Sequence, residues 1–94
     1  MIRSFADRRS AAIWEDRLPK GFPNDVARVA RRKLRVLAAA TKLEDLRSPP
    51  GNRLEALQGD RAGQHSMRIN DQWRLCFVWH DGDAFEVEIV DYHR

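Results

Sequence analysis

Gln64-His-Ser-Met-Arg-Ile-Asn-Asp-Gln-Trp-Arg-Leu-Cys-Phe77 decides the fold. Met67 and Ile69 point one way, while Ser66, Arg68 and Asn70 point the other. Beyond Asn70-Asp-Gln72 the alternation resumes, with Trp73, Leu75, Phe77 and Trp79 against Arg74, Cys76 and Val78. A period of two with aromatic and branched residues on one side predicts half-buried strands, and Asn-Asp is turn chemistry. Directly opposed residues of an antiparallel pair share a face. The apolar sets therefore meet only if Ile69 opposes Trp73 and Met67 opposes Leu75, across a three-residue hairpin loop. The same register sets Arg68 opposite Arg74 on the other face. Like charges directly opposite each other destabilise a sheet, so either the pair holds an anion or both arginines are solvated on an outer face.

The hairpin extends toward the C-terminus. His80-Asp-Gly-Asp83 signals a second turn, after which Phe85, Val87 and Ile89 continue the apolar face and Ala84, Glu86, Glu88, Val90 and Tyr92 share the other. Matching faces sets Trp79 against Phe85, Phe77 against Val87, Leu75 against Ile89 and Arg74 against Val90. Tyr92 then reaches the face of Arg68 and Arg74, with His93 at its mouth. Upstream, Arg53–Gln58 reads as a further strand, followed by a turn at Gly59-Asp-Arg-Ala-Gly63.

The N-terminal half is helical. Met1–Phe5 alternates like a brief first strand, and Ser10–Arg17 reads as a helix with Ile13, Trp14 and Leu18 on its apolar side. Leu18-Pro-Lys-Gly-Phe-Pro23 breaks it. Pro23 opens a second helix, with Asn24 and Asp25 favouring the positive end of its dipole. Val26, Ala30, Leu34 and Leu37 form its buried stripe, with Val29 and Lys33 alongside. Arg28, Arg31, Arg32 and Arg35 crowd the remaining surface, which is either a solvated face or a contact for phosphate backbone. Thr41-Lys-Leu-Glu44 has the form of a capping box for a short turn through Leu46, and Arg47-Ser-Pro-Pro-Gly51 ends it.

Ninety-four residues with 43% hydrophobic and 33% charged residues predict one globular domain, 1–94, of α+β class: two N-terminal helices on a twisted, mainly antiparallel sheet of four to five strands. The net charge of +3 conceals an asymmetry: residues 1–47 carry 12 Lys/Arg against 6 Asp/Glu, and residues 48–94 carry 5 against 8. The basic half suggests a polyanion as partner. Cys76 is the only cysteine, which fits a reducing cytoplasm and a packing role. The N-terminus lacks the apolar run of a signal peptide, no stretch approaches the length of a membrane span, and no membrane partner is expected. His65, His80 and His93 lack ligand-like spacing, so no metal and no cofactor is expected.

Two arginines, a phenol and an imidazole on one face suggest cleavage of RNA by its own 2′-hydroxyl. One group removes the hydroxyl proton, arginines stabilise charge on phosphorus, and another group protonates the departing 5′-oxygen. Pro49–Gly63, Ser66–Phe77, Asp81–Asp83 and Val87-Glu-Ile-Val-Asp-Tyr-His93, with Ile2–Phe5 and Thr41–Leu46, resemble the HigB toxins of the RelE superfamily over nearly the whole chain.

The resemblance implies a small α+β ribonuclease of a bacterial toxin–antitoxin pair that enters the ribosomal A site, cuts mRNA there and so arrests growth. It implies neutralisation by a HigA-type helix-turn-helix antitoxin, with operator DNA bound only through the toxin–antitoxin complex. Carried over by position, Arg61, Arg74, Tyr92 and His93 match the family's active-site motif, with Arg68 added from the register. His93 would be the acid or base, Arg74 the main transition-state donor and Tyr92 a support for substrate; Arg28, Arg31, Arg32 and Arg35 would touch ribosomal RNA or an acidic antitoxin segment. The chain departs from many relatives at Gln58, where a lysine is common, and at Glu55, where a relative has histidine. Gln58 can still donate to phosphate but carries no charge. The chain is therefore expected to be a mild toxin, or one that relies more on His93 and the ribosome. The alternatives are a catalytically weakened fold that binds RNA or antitoxin without efficient cleavage, and a plain interaction module.

Overall fold

A computed structural model describes residues 1–92. Helix α1 (Arg8–Trp14) and helix α2 (Asn24–Ala39) pack on one face of a four-stranded antiparallel sheet. Its strands lie in sequence order: β1 (Glu55–Ala56), β2 (His65–Arg68), β3 (Trp73–His80) and β4 (Asp83–Asp91). Val26, Ala27, Ala30, Leu34 and Leu37 of α2 and Ile13 of α1 bury against Met67, Leu75, Phe77, Val87 and Ile89 of the sheet. The stripe read from α2 is its buried face; Ala27 joins it.

The β2–β3 register is the expected one. Met67 pairs with Leu75 and Arg68 with Arg74, and the Ile69 N–H donates to the Trp73 carbonyl at 3.0 Å. Asn70 makes the turn: its Oδ1 accepts from the N–H groups of Gln72 and Trp73, both at 2.8 Å.

The β3–β4 register departs from expectation at the far end. Leu75 pairs with Ile89 and Arg74 with Val90 as expected, but Val78 faces Phe85 and Trp79 faces Ala84. Between these pairs Glu86 and Val87 stand against the single residue Phe77, with Glu86 at φ 52. The extra residue is a β-bulge, and a one-residue slip exchanges the faces beyond it. Ala84 is consequently in the core and Phe85 is only half-buried, the reverse of the alternation.

Other boundaries also shift. The proposed first strand is present as two parallel bridges, Ile2 to Ala84 and Phe5 to Val87, which line the β4 edge. Four backbone hydrogen bonds fasten it there, from Arg3, Ala6, Ala84 and Val87 N–H groups. Helix α1 starts two residues earlier than expected because the Asp7 carboxylate caps it, accepting from the Ser10 N–H at 2.7 Å. It also ends at Trp14, with Asp16 turned into the left-handed region at φ 64, which leaves Trp14 and Leu18 exposed instead of on a buried side.

The turn after α2 is a 3-10 helix, Leu43–Arg47, and the capping carboxylate is Asp45, not Glu44. Asp45 Oδ2 accepts from the Thr41 and Lys42 N–H groups, each at 3.1 Å. These bonds hold its carboxyl below the ordinary carboxylate range. Strand β1 is two residues of the six expected, since Arg53 is spent on the turn that precedes it and Gln58 caps the turn that follows.

Candidate active site

The outer face of the sheet, away from the helices, carries a cleft of about 530 Å³. Arg68 and Arg74 line it from opposed positions on β2 and β3, with Glu55, Tyr92 and the hairpin residues Asn70, Asp71 and Gln72 around them and Arg53 at its rim.

Arg74 is the fixed member of the pair, its side chain only 14% exposed. Its Nε donates to the Ser66 hydroxyl at 2.8 Å and its Nη2 to the Arg53 carbonyl at 2.7 Å. Ser66 is fully buried, so the hydroxyl is a rigid stop for the guanidinium. Arg53 is held in left-handed backbone at φ 46, unusual for a residue with a Cβ. The buried Asn52 before it fixes that turn: its Nδ2 donates to the Leu46 and Ser48 carbonyls, both at 3.2 Å, and its Oδ1 accepts from Lys33 Nζ at 2.5 Å. A chain of side chains thus runs from helix α2 through the Asn52 turn to the cleft.

Both arginines are paired within the chain. Arg68 Nη2 donates to Asp71, which lies at the hairpin tip and is 99% exposed. Arg74 Nη2 lies 3.4 Å from Glu55 Oε1. The hydrogen bond and charge of Arg68, with a smaller effect from Arg53, pull the Asp71 carboxyl below its ordinary range. Lys33 is also depressed, chiefly by burial and then by the positive charges of Arg32 and Arg68. The cleft and the basic side of α2 therefore share one positive field.

Tyr92 stands where the register places it, at the cleft, and its N–H donates to the Gln72 carbonyl at 2.6 Å. His93 lies outside the described residues. Arg61, on a 3-10 turn at Gly59–Arg61, sits over the neighbouring row of the same sheet face instead of lining the cleft. Its Nη1 donates to Gln64 Oε1 at 3.1 Å and Glu88 Oε1 at 3.2 Å. Burial is the largest single influence and works against that charge, but the bond to Glu88 together with the surrounding negative charge holds the guanidinium above its ordinary pKa. Gln58 is exposed at the start of the same turn and outside the cleft lining.

Of the basic helix residues, Arg28, Arg32 and Arg35 are exposed. Arg31 is employed structurally: its Nε donates to the Ile13 carbonyl at 3.0 Å and lies 3.1 Å from Asp16 Oδ1, closing the end of α1.

Beneath the arginines, burial drives the Cys76 thiol up to about 11, which suits packing and not nucleophilic chemistry. His65 lies off the cleft, its ring stacked on Phe77 at 6.2 Å. Sequence reasoning passed over Ser66, Arg53 and Asp71. Ser66 was visible as the residue opposite Cys76 and one row from Arg74, whereas nothing in the sequence marks the turn of Arg53.

Residues 3–93 match the family described as the RelE-like toxin of the type II toxin–antitoxin system HigB. The chain belongs to the HigB-like toxin family. It is 39% identical to Toxin HigB-1 of Vibrio cholerae, over all of this chain and 99% of that protein. It is 33% identical to Endoribonuclease HigB of Proteus vulgaris, over 99% of this chain and all of that protein. Endoribonuclease activity thus occurs within the family. The crystal structure of a YafQ mutant from E. coli shares the fold, with a TM-score of 0.65 over 97% of this chain and 91% of that one at 13% identity. This HigB-like chain is a RelE-superfamily toxin, and its two-helix, four-strand architecture is the RelE-like fold. As a type II toxin family, the HigB-like proteins imply an antitoxin partner. No described helix is long and apolar enough to cross a membrane.

Proposed function

We propose that this chain is a single-domain, cytoplasmic, ribosome-dependent endoribonuclease that cuts mRNA in the ribosomal A site and is neutralised by a HigA-type helix-turn-helix antitoxin. The observation that carries the reading is the facing pair Arg68 and Arg74 in a cleft that also holds Tyr92, in a family with an endoribonuclease member. A scissile phosphate fits between two guanidinium groups because their planar forks match its oxygens. Arg74, braced by Ser66 and Arg53, is preorganised to stabilise the charge that grows on phosphorus during attack. Tyr92 supports the substrate, and His93 exchanges protons. The reaction as read needs no metal: the 2′-oxygen attacks the adjacent phosphorus, the bond to the 5′-oxygen breaks, and a 2′,3′-cyclic phosphate and a 5′-hydroxyl result. Arg28, Arg32 and Arg35 would meet ribosomal RNA, while Arg31 and Arg61 serve mainly to hold the fold around the site.

The decisive measurement is mRNA cleavage on purified, programmed ribosomes by the wild type and by Arg74→Ala. Codon-phased cuts by the wild type that fall by roughly 10²–10³-fold in the variant, as for loss of one preorganised donor, are the expected result.

The carboxylates already paired with both arginines favour a second reading, in which the protein binds RNA or antitoxin and cleaves poorly. An intact message on ribosomes that still bind the protein would select it.

A further inference from the structure

Cleavage by a 2′-hydroxyl requires a group that accepts its proton beside the bound phosphate. Glu55 has that position. Its Cα partner is Ser66, the residue whose hydroxyl braces Arg74, so carboxylate, hydroxyl and guanidinium sit on three consecutive paired strands, β1, β2 and β3, of one sheet face. Positions fixed by strand pairing are the precise ones on which chemistry is built. Glu55 Oε1 lies 3.4 Å from Arg74 Nη2. That contact is longer and weaker than the 2.7 Å bond the same nitrogen makes to the Arg53 carbonyl. A phosphate oxygen arriving at Arg74 can replace the carboxylate there and leave it adjacent to the phosphodiester.

The other cleft groups suit this task less well. Asp71 is hydrogen-bonded to Arg68, which holds its carboxyl below the usual range and weakens it as a base. It also stands in open water at the hairpin tip. Tyr92 is a phenol, a hydrogen-bond donor at neutral pH. Arg53, Arg68 and Arg74 present only N–H donors and no acceptor for a proton.

We propose that Glu55 is a catalytic residue of the cleft, the general base that takes the proton from the attacking 2′-hydroxyl; this rests on the ribonuclease reading above. In the step, the Glu55 carboxylate gains the 2′-hydroxyl proton as the 2′-oxygen bonds to phosphorus. The bond from phosphorus to the 5′-oxygen breaks, and that oxygen leaves with a proton from the His93 imidazolium or from water. The products are a 2′,3′-cyclic phosphate and a 5′-hydroxyl, and no electrons are gained or lost.

The test is single-turnover cleavage on programmed ribosomes across an acid-to-neutral pH series, alongside ribosome binding, for the wild type, Glu55→Gln and Glu55→His. Glutamine keeps the size and an oxygen for Arg74 but cannot accept the proton. Glu55→Gln is expected to cleave roughly 10²–10⁴-fold more slowly, with unchanged binding and without the acid limb of the pH–rate profile. Glu55→His is expected to restore part of the rate with that limb moved toward about pH 6.5, the ordinary imidazole value. Wild-type rate and limb in Glu55→Gln would overturn the assignment, as would a loss of cleavage matched by an equal loss of binding. A wild type that leaves the message intact overturns the ribonuclease reading itself, and the inference with it.

Discussion

Arg68 and Arg74 are Cα partners across the β2–β3 pair, and each guanidinium has its own carboxylate, Asp71 for the first and Glu55 for the second. Two cations in register cost the sheet stability, and the carboxylates offset part of that cost. The exposed bridge to Asp71 is the weaker compensation, since water screens it.

Arg68→Ala should therefore leave the protein as stable as the wild type, or more stable by up to about 1 kcal/mol, the scale of a cross-strand charge pair. The same variant should bind ribosomes less tightly, with a salt slope shallower by about one counterion. Urea unfolding and ribosome binding over a salt series check the two halves. A clear loss of stability would mean that Arg68 supports the fold and not a ligand.

Helix α2 separates structural from binding arginines. Arg31→Ala removes the donor to the Ile13 carbonyl and the partner of Asp16. It should cost about 1–3 kcal/mol, as for hydrogen bonds to charged groups. Arg32→Ala, at an exposed position, should change stability by no more than about 0.5 kcal/mol and lower the salt dependence of ribosome binding. Denaturant midpoints for the two variants decide the matter.

Ser10 joins helix to sheet inside the core. Its Oγ accepts the Ile89 N–H at 2.9 Å, and the residue is fully buried. Ser10→Ala leaves a strand N–H without an acceptor and should cost about 1–3 kcal/mol. Hydrogen exchange at the Ile89 amide should accelerate at the same time.

Asp45 gives a pH signature. Its carboxyl is held below the ordinary value of 3.8 by the Lys42 and Thr41 N–H groups. A depressed carboxylate contributes stability that is fully present above its unfolded pKa and is lost as pH falls through the folded value. Asp45→Asn should therefore flatten the stability profile below about pH 4 and leave its neutral plateau no higher than the wild type's. Thermal unfolding over an acid series measures both.

The parts of this fold that were legible in the sequence are those in which one periodicity runs without interruption. The β2–β3 hairpin follows from alternation on both sides of Asn70, and with it the opposition of Arg68 and Arg74 and the place of Tyr92. The stripe on α2 follows for the same reason. The β3–β4 register failed at Glu86, where no glycine marks a residue with positive φ. Trp14 and Leu18 carried helical spacing into a segment that ends at the surface, where both remain exposed. Arg31 resembles its neighbours in sequence, and only the approach of α1 gives it a different task. In the cleft, the arginines were visible and the register put Ser66 one row from Arg74, but the braces from Arg53 and Glu55 were not, because they meet Arg74 through the turn before β1 and its short pairing with β2.

The N-terminal segment along β4 has a consequence for self-association. An unpaired sheet edge is a template on which another chain can add a strand and begin to aggregate. Here the bridges at Ile2 and Phe5 occupy one edge, and Ser4 Oγ accepts the Glu86 N–H at 2.9 Å where the bulge interrupts the ladder. The opposite edge is β1, only two residues long and too short to align an incoming strand. A protein that crowds like charges onto one sheet face is thus shielded at both margins from polymerising through its backbone.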